Sequence, residues 1–133
     1  MTAYASGNRY ERRTVELLRS EGYHCWQSRG SRGPADVIAI KPRQLVLVQV
    51  KSGAKAISGA EWNALWRLAC EVAAVPVLAE WRPVNPDKPG LGLAVTMHQL
   101  TGPHVAHKRA WPCTPFVTDQ IAHALAKGTT TDG

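Results

Sequence analysis

Apolar and polar positions along the chain follow two periods, and the switching between them outlines the fold. Residues 1–8 are small and polar and predict a loose arm. Over residues 9–21, Tyr10, Thr14, Leu17 and Leu18 recur at the spacing of one helical face, with Asn8 placed to cap the helix and Gly22 to stop it. Residues 23–28 have strand character, 29–34 (RGSRGP) form a glycine-rich basic loop, and 35–40 (ADVIAI) form a short apolar strand. KPRQ at 41–44 is a turn, and LVLVQVK at 45–51 is a nearly continuous apolar strand, the pattern of one covered on both faces. So short a turn predicts an antiparallel hairpin. Ser58 and Glu61 fit the S-x-x-E capping box and open a second helix, whose stripe is Trp62, Leu65, Trp66, Ala69, Val72 and Ala73. PVLAEW at 76–81 is the next strand, and the strand–helix–strand order predicts a crossover that returns the chain parallel to 45–51. Residues 82–90 form a proline-rich loop, 91–97 an edge strand, 101–116 an irregular stretch and 117–126 a short final helix. The expected class is α/β, a small mixed β-sheet flanked by helices in the order α-β-β-β-α-β-β-α.

At 133 residues the chain is expected to be one domain, with a core at about 7–98 and a C-terminal extension at 99–133 that holds the short helix. The hydrophobic fraction of 44% is that of a globular protein. Charge changes the picture more. The net charge is +6, and all of it lies in residues 1–55, where ten Lys and Arg face four acids. Seven of the ten are Arg, the better partner for phosphate. A one-sided basic surplus is the footprint of a polyanion such as nucleic acid. The three cysteines, Cys25, Cys70 and Cys113, show no C-x-x-C spacing and suit a reducing compartment. With no signal-like or membrane-length apolar run, a cytoplasmic protein with no membrane partner is expected.

Chemistry concentrates at one place. Gln49 and Lys51 lie two apart on the buried strand and so share a face with Leu45 and Leu47. A Gln and a Lys at the end of an apolar strand need partners, and Asp36, across the hairpin, is the expected one. Two readings compete: a plain Asp36–Lys51 ion pair, or a catalytic cluster. Glu11, on the margin of the first helix's apolar face, supports the second, although it also stands three after Asn8, where a capping-box carboxylate would sit. Two carboxylates and a side-chain carbonyl are hard oxygen ligands that suit Mg²⁺, with Mn²⁺ able to substitute. Such a metal stabilises charge on a scissile phosphate and acidifies a bound water.

The order of a helix bearing Glu11, then GSRGPAD ending at Asp36, then QVK with Gln49 thirteen positions later resembles the PD-(D/E)xK nuclease superfamily. NRYERRTVELLRSEGY, SRGSRGPADVIAI, LVLVQVKS and VPVLAEW together resemble the archaeal-type Holliday junction resolvases over residues 7–82. The resemblance implies a restriction-endonuclease-like core and a homodimer that cuts branched DNA symmetrically. By position it implies Glu11 and Asp36 as metal-binding carboxylates, Lys51 as the catalytic lysine, and Ser31 as a loop serine near the cut phosphate. Gln49 stands where that family usually has Glu, so one metal ligand is neutral here.

Arg29 and Arg32 in the glycine loop are candidate phosphate contacts, extended by Arg9, Arg12 and Arg13 on the first helix and by Lys55 after the strand. Each also reads as a plain surface charge. Trp62 and Trp66 are expected in the core, with a dimer face as the alternative. His104, His107 and Cys113 lack a fourth ligand for zinc, and His24, His98 and His123 have no evident partner. The leading expectation is a Mg²⁺-dependent endonuclease for four-way DNA junctions. The competing ones are a related nuclease acting on duplex, nicked or flap DNA, a DNA-binding module inactivated at Gln49, and a plain structural domain.

Overall fold

The computed structural model describes residues 3–28 and 33–116, with side chains described from residue 9. Helix α1 spans Ala3–Ser20, followed by strands β1 (His24–Gln27), β2 (Val37–Lys41) and β3 (Gln44–Ser52). Helix α2 (Gly59–Val72) leads to β4 (Val75–Pro83), a 3-10 turn at Pro89–Leu91, β5 (Leu93–Leu100) and β6 (Cys113–Pro115). The six strands lie side by side in sequence order. Every neighbouring pair is antiparallel except β3 and β4, which α2 connects in parallel.

The hairpin and the parallel return follow the sequence pattern. Pro42 and Arg43 make the two-residue link from Lys41 to Gln44, and Arg43 takes the left-handed conformation at φ 64°. Alternation along β3 divides the core in two. Val46, Val48 and Val50 pack with Val15 and Leu18 of α1, and with Val37, Val77 and Trp81. Leu47 packs on the opposite face with Trp62, Leu65 and Ala69 of α2, and with Leu78 and Leu100. Gln49 and Lys51 share Leu47's parity and continue that second face toward the strand's end.

Several boundaries differ from the expected ones. Helix α1 starts at Ala3 rather than residue 9, so part of the expected loose arm is helical and Asn8 lies inside the helix instead of capping it. The end of α1 is as expected: Gly22 adopts φ 94° and the Tyr23 N–H donates to the Leu18 carbonyl at 3.1 Å. Helix α2 keeps its capping box, with the Ser58 hydroxyl accepting from the Glu61 N–H at 3.1 Å and the Glu61 carboxylate accepting from the Ser58 N–H at 3.0 Å. Its buried stripe is narrower than expected. Trp62, Leu65 and Ala69 are buried and Trp66 half-buried, whereas Val72 is 46% exposed and Ala73 forms the left-handed cap that ends the helix. Strand β5 is not an edge, because β6 pairs along it from within the stretch expected to be irregular.

That stretch is fastened to α2. The Trp62 indole N–H donates to the Gly102 carbonyl at 2.9 Å, and Asn63 accepts from the His104 backbone N–H at 2.7 Å. Trp111 stacks on His104 and meets Trp62 edge-on. Residues 101–112 thus close the open side of α2 with the two tryptophans as their seam. The final helix expected at 117–126 lies outside the described residues.

On the other face, Thr14 ties α1 to the sheet. Its hydroxyl donates to the Tyr10 carbonyl at 2.7 Å and accepts from the Trp81 indole N–H at 2.9 Å, while Tyr10 and Trp81 pack with ring centroids 5.4 Å apart. Thr14→Val keeps the shape but leaves the buried indole N–H unpaired, which should cost about 1–3 kcal/mol of stability. Urea unfolding followed by tryptophan fluorescence measures it; an unchanged midpoint would show that the bond contributes nothing.

Candidate active site

The site forms where β2 and β3 part. Their ladder runs from Lys41–Gln44 to Val37–Val48, and at that point the Asp36 N–H donates to the Val48 carbonyl at 2.8 Å. The next main-chain donor in line, the Val50 N–H, is taken by the Asp36 carboxylate itself at 2.9 Å. Asp36 therefore acts as a strand terminator whose side chain stays against β3. The other end of the glycine loop is held at the same place, because the Ser28 N–H donates to the Asp36 carbonyl at 2.8 Å.

Asp36 and Gln49 are both buried, each 8% exposed. Burial pushes the Asp36 carboxyl above the ordinary range, and the Glu61 charge adds to the rise, while the Val50 N–H and the Lys51 ammonium oppose it. Glu11 approaches from α1, half-buried, and its carboxyl is pushed up to about 7, first by burial and then by the charge of Asp36. An oxygen-liganded cation would relieve the burial of both carboxylates and the repulsion that the Asp36 charge exerts on Glu11. Among the described residues no three His, Cys, Asp or Glu side chains gather as a ready metal cage. A cation here would depend on Glu11, Asp36 and the Gln49 carbonyl, together with water and substrate. That donor set fits Mg²⁺, which is commonly bound through one or two carboxylates plus substrate phosphates.

Lys51 differs from expectation. Its ion pair is with Glu61 of α2 at 2.7 Å and not with Asp36, whose carboxylate accepts from the Val50 N–H. Glu61 thus does two things at once: one oxygen closes the capping box and the other holds the lysine. Burial alone would raise its carboxyl, but the hydrogen bonds from Lys51 and Ser58 outweigh it and the shift is downward. The sequence reading assigned Glu61 to the cap only; the available signal was that a capping box uses one of two carboxylate oxygens. The reading of Glu11 as a cap is overturned with that of Asn8, since Glu11 lies well inside α1. A further group appears on β4, in register with Lys51. Glu80 there pairs with Arg82 at 2.7 Å and with His98 at 3.1 Å, a partner for His98 that the sequence did not reveal.

The candidate phosphate contacts are spread more widely. Arg9 and Arg12 are exposed on α1, and Arg13 is half-buried with its guanidinium 5.2 Å from the centre of the Tyr10 ring. Lys55 is exposed in the turn after β3. Arg29, Ser31 and Arg32 lie outside the described residues.

Comparison with known proteins identifies the family. The family model described as archaeal Holliday junction resolvase (Hjc) matches residues 2–84, a stretch that holds Glu11, Asp36, Gln49 and Lys51. The chain belongs to that family. It is accordingly a nuclease that binds DNA and resolves junctions in recombination and repair. Among solved structures, the Holliday junction resolvase Hjc of the archaeal hyperthermophile Archaeoglobus fulgidus is similar to it, with 24% identity over 58% of this chain and 68% of that one, at a TM-score of 0.50. The fold is restriction-endonuclease-like, as the resemblance implied. The bacterial homing endonuclease I-Ssp6803I aligns over 100% of this chain and 99% of its own at 13% identity and a TM-score of 0.45. The search of curated proteins found no match.

The raised Glu11 carboxyl has a measurable consequence. Folding takes up a proton there between about pH 4.5 and 7, so this group's contribution to stability is complete below pH 4.5 and is lost as pH rises through 7. Glu11→Gln mimics the protonated form. In chelator it should raise the melting temperature at pH 8, with the gain gone at pH 4.5; an equal gain at both values would mean that the carboxyl is unperturbed.

Proposed function

We propose that this chain is a Mg²⁺-dependent endonuclease that resolves four-way DNA junctions as a homodimer, cutting one phosphodiester in each of two symmetric strands by hydrolysis. The observation that carries this reading is the buried Asp36 carboxylate, fixed on β3 beside Gln49 and Lys51 and facing Glu11. Buried carboxylates that repel one another are costly to a fold, and a nuclease centre gives that arrangement a use.

In this mechanism Asp36, Gln49 and Glu11 hold the metal, with Mn²⁺ as a substitute. When bound, Mg²⁺ supplies positive charge at the scissile phosphate and lowers the pKa of water. Asp36 enters with its geometry already set, because the Val50 N–H fixes one oxygen and leaves the other available. Lys51 presents an ammonium from the same strand, placed to hold the attacking water or the charge developing on phosphate. Gln49 contributes a carbonyl with no charge, so the site has one negative charge fewer than the family pattern and should need more metal. Ser31, Arg29 and Arg32 of the glycine loop meet the DNA backbone near the cut. Arg9, Arg12, Arg13 and Lys55 extend the contact by phosphate attraction, which reads junction shape and not base sequence. A two-fold dimer matches the symmetry of the junction, and the cytoplasm is where such an enzyme would meet its DNA.

The test is cleavage of a labelled four-way junction and a matching linear duplex, with Mg²⁺, Mn²⁺ or chelator. Paired, metal-dependent cuts in the junction alone are expected. Asp36→Asn and Lys51→Ala should abolish cutting and keep junction binding, and Ser31→Ala should slow cutting more than it weakens binding. Equal cutting of the duplex would make the protein a nuclease of broader substrate range. Binding without cutting under either metal would make it a DNA-binding module.

Gln49→Glu provides a separate measurement. It restores a negative ligand, so half-maximal cleavage should shift to lower Mg²⁺ concentration while activity at saturating Mg²⁺ is kept or raised. A complete loss of cutting would remove Gln49 from the metal's donors.

A further inference from the structure

The Lys51 ammonium is largely enclosed, its side chain 16% exposed, and an enclosed cation needs a counter-charge. The residue beside it on its own strand, Gln49, provides none. The Asp36 carboxylate is engaged by the Val50 N–H, and on the nuclease reading it also belongs to the metal. A divalent cation at Asp36 would cancel that residue's attraction for Lys51 and repel the ammonium. The carboxylate that still holds the lysine is Glu61, at 2.7 Å. Glu61 is itself fixed, because its second oxygen accepts from the Ser58 N–H and its backbone N–H donates to the Ser58 hydroxyl.

We infer that Glu61 is the positioning residue for Lys51 and provides, from the first turn of α2, the negative charge that Gln49 does not provide on β3. This rests on the nuclease reading of the site. The capping box then has a second use. Its main-chain half, the bond from the Ser58 N–H to the Glu61 carboxylate, ties that carboxylate to the helix end, so Lys51 is held at a set height above the sheet despite its flexible stem. Binding of the metal and retention of the lysine no longer compete for one carboxylate.

Three variants separate this role from capping. Glu61→Gln keeps a side chain that serves in a capping box but removes the charge facing Lys51. Its kcat for junction cleavage should fall about ten- to a hundredfold, the usual range for a residue that orients a site group. KM and junction affinity in chelator should stay close to wild type, while the melting temperature should fall, because the enclosed ammonium loses its counter-charge. Ser58→Ala loses the hydroxyl cap and leaves the Glu61–Lys51 pair, so it should lower the melting temperature while keeping kcat. In the Gln49→Glu background and in chelator, where no metal takes up the added carboxylate beside Lys51, the fall in melting temperature caused by Glu61→Gln should shrink. Wild-type kcat in Glu61→Gln overturns the inference. So does an equal fall of kcat in Ser58→Ala, which would trace the loss to the helix end. An undiminished fall in melting temperature in the Gln49→Glu background in chelator overturns the charge-replacement role. If wild-type protein fails to cut in the same assay, the nuclease reading itself fails; cutting by wild type with none by Asp36→Asn keeps that reading whatever Glu61→Gln does.

Discussion

The bond from the Val50 N–H to the Asp36 carboxylate is the constraint around which the site is built. A strand that outruns its neighbour leaves a main-chain donor without a ladder partner, and a buried donor left so is costly. Here a carboxylate takes that place. The ladder ends cleanly at Val37–Val48, the glycine loop starts and ends at one point, and an acid is carried to the junction between the two faces of the sheet. From there Asp36 interacts with Glu11 from the α1 side and with Lys51 and Glu61 from the α2 side.

The second connection is the Glu61–Lys51 pair, which joins the centre of the sheet to the start of α2. That helix is set in place by its cap at one end, by Trp62 and Leu65 against the sheet, and by the 101–112 stretch that clasps its outer side. The family match ends at residue 84, so β5, β6 and the clasp lie beyond the matched stretch. Packing far from Asp36 therefore bears on where the lysine sits.

Electrostatics give the site its character. Asp36 and Glu11 are held above their ordinary pKa values, chiefly by burial and partly by neighbouring negative charge, whereas Glu61 is held below its own by Lys51 and Ser58. Carboxylates close together in the fold are thus shifted in opposite directions by their surroundings. A cation would offset the burial of the first two, and the lysine favours the third as an anion.

Much of this was legible in the sequence because it is local. The nearly continuous apolar run over 45–51 and the period near 3.6 after Ser58 pointed to a buried strand and a capped helix. The short KPRQ link fixed the hairpin, and with it the pairing that brings Asp36 beside Gln49 and Lys51. The inner position of β5 and the partners of Lys51 and His98 were not legible. Each depends on which segments meet in space, and periodicity carries no information on that. Glu61 shows the division most clearly. Its spacing from Ser58 determined that it would cap α2, but only the crossing of α2 over the end of β3 decided that its free oxygen would meet Lys51. A helix cap is set by hydrogen bonds within four residues, whereas an ion pair between a strand and a helix is set by how the whole layer packs.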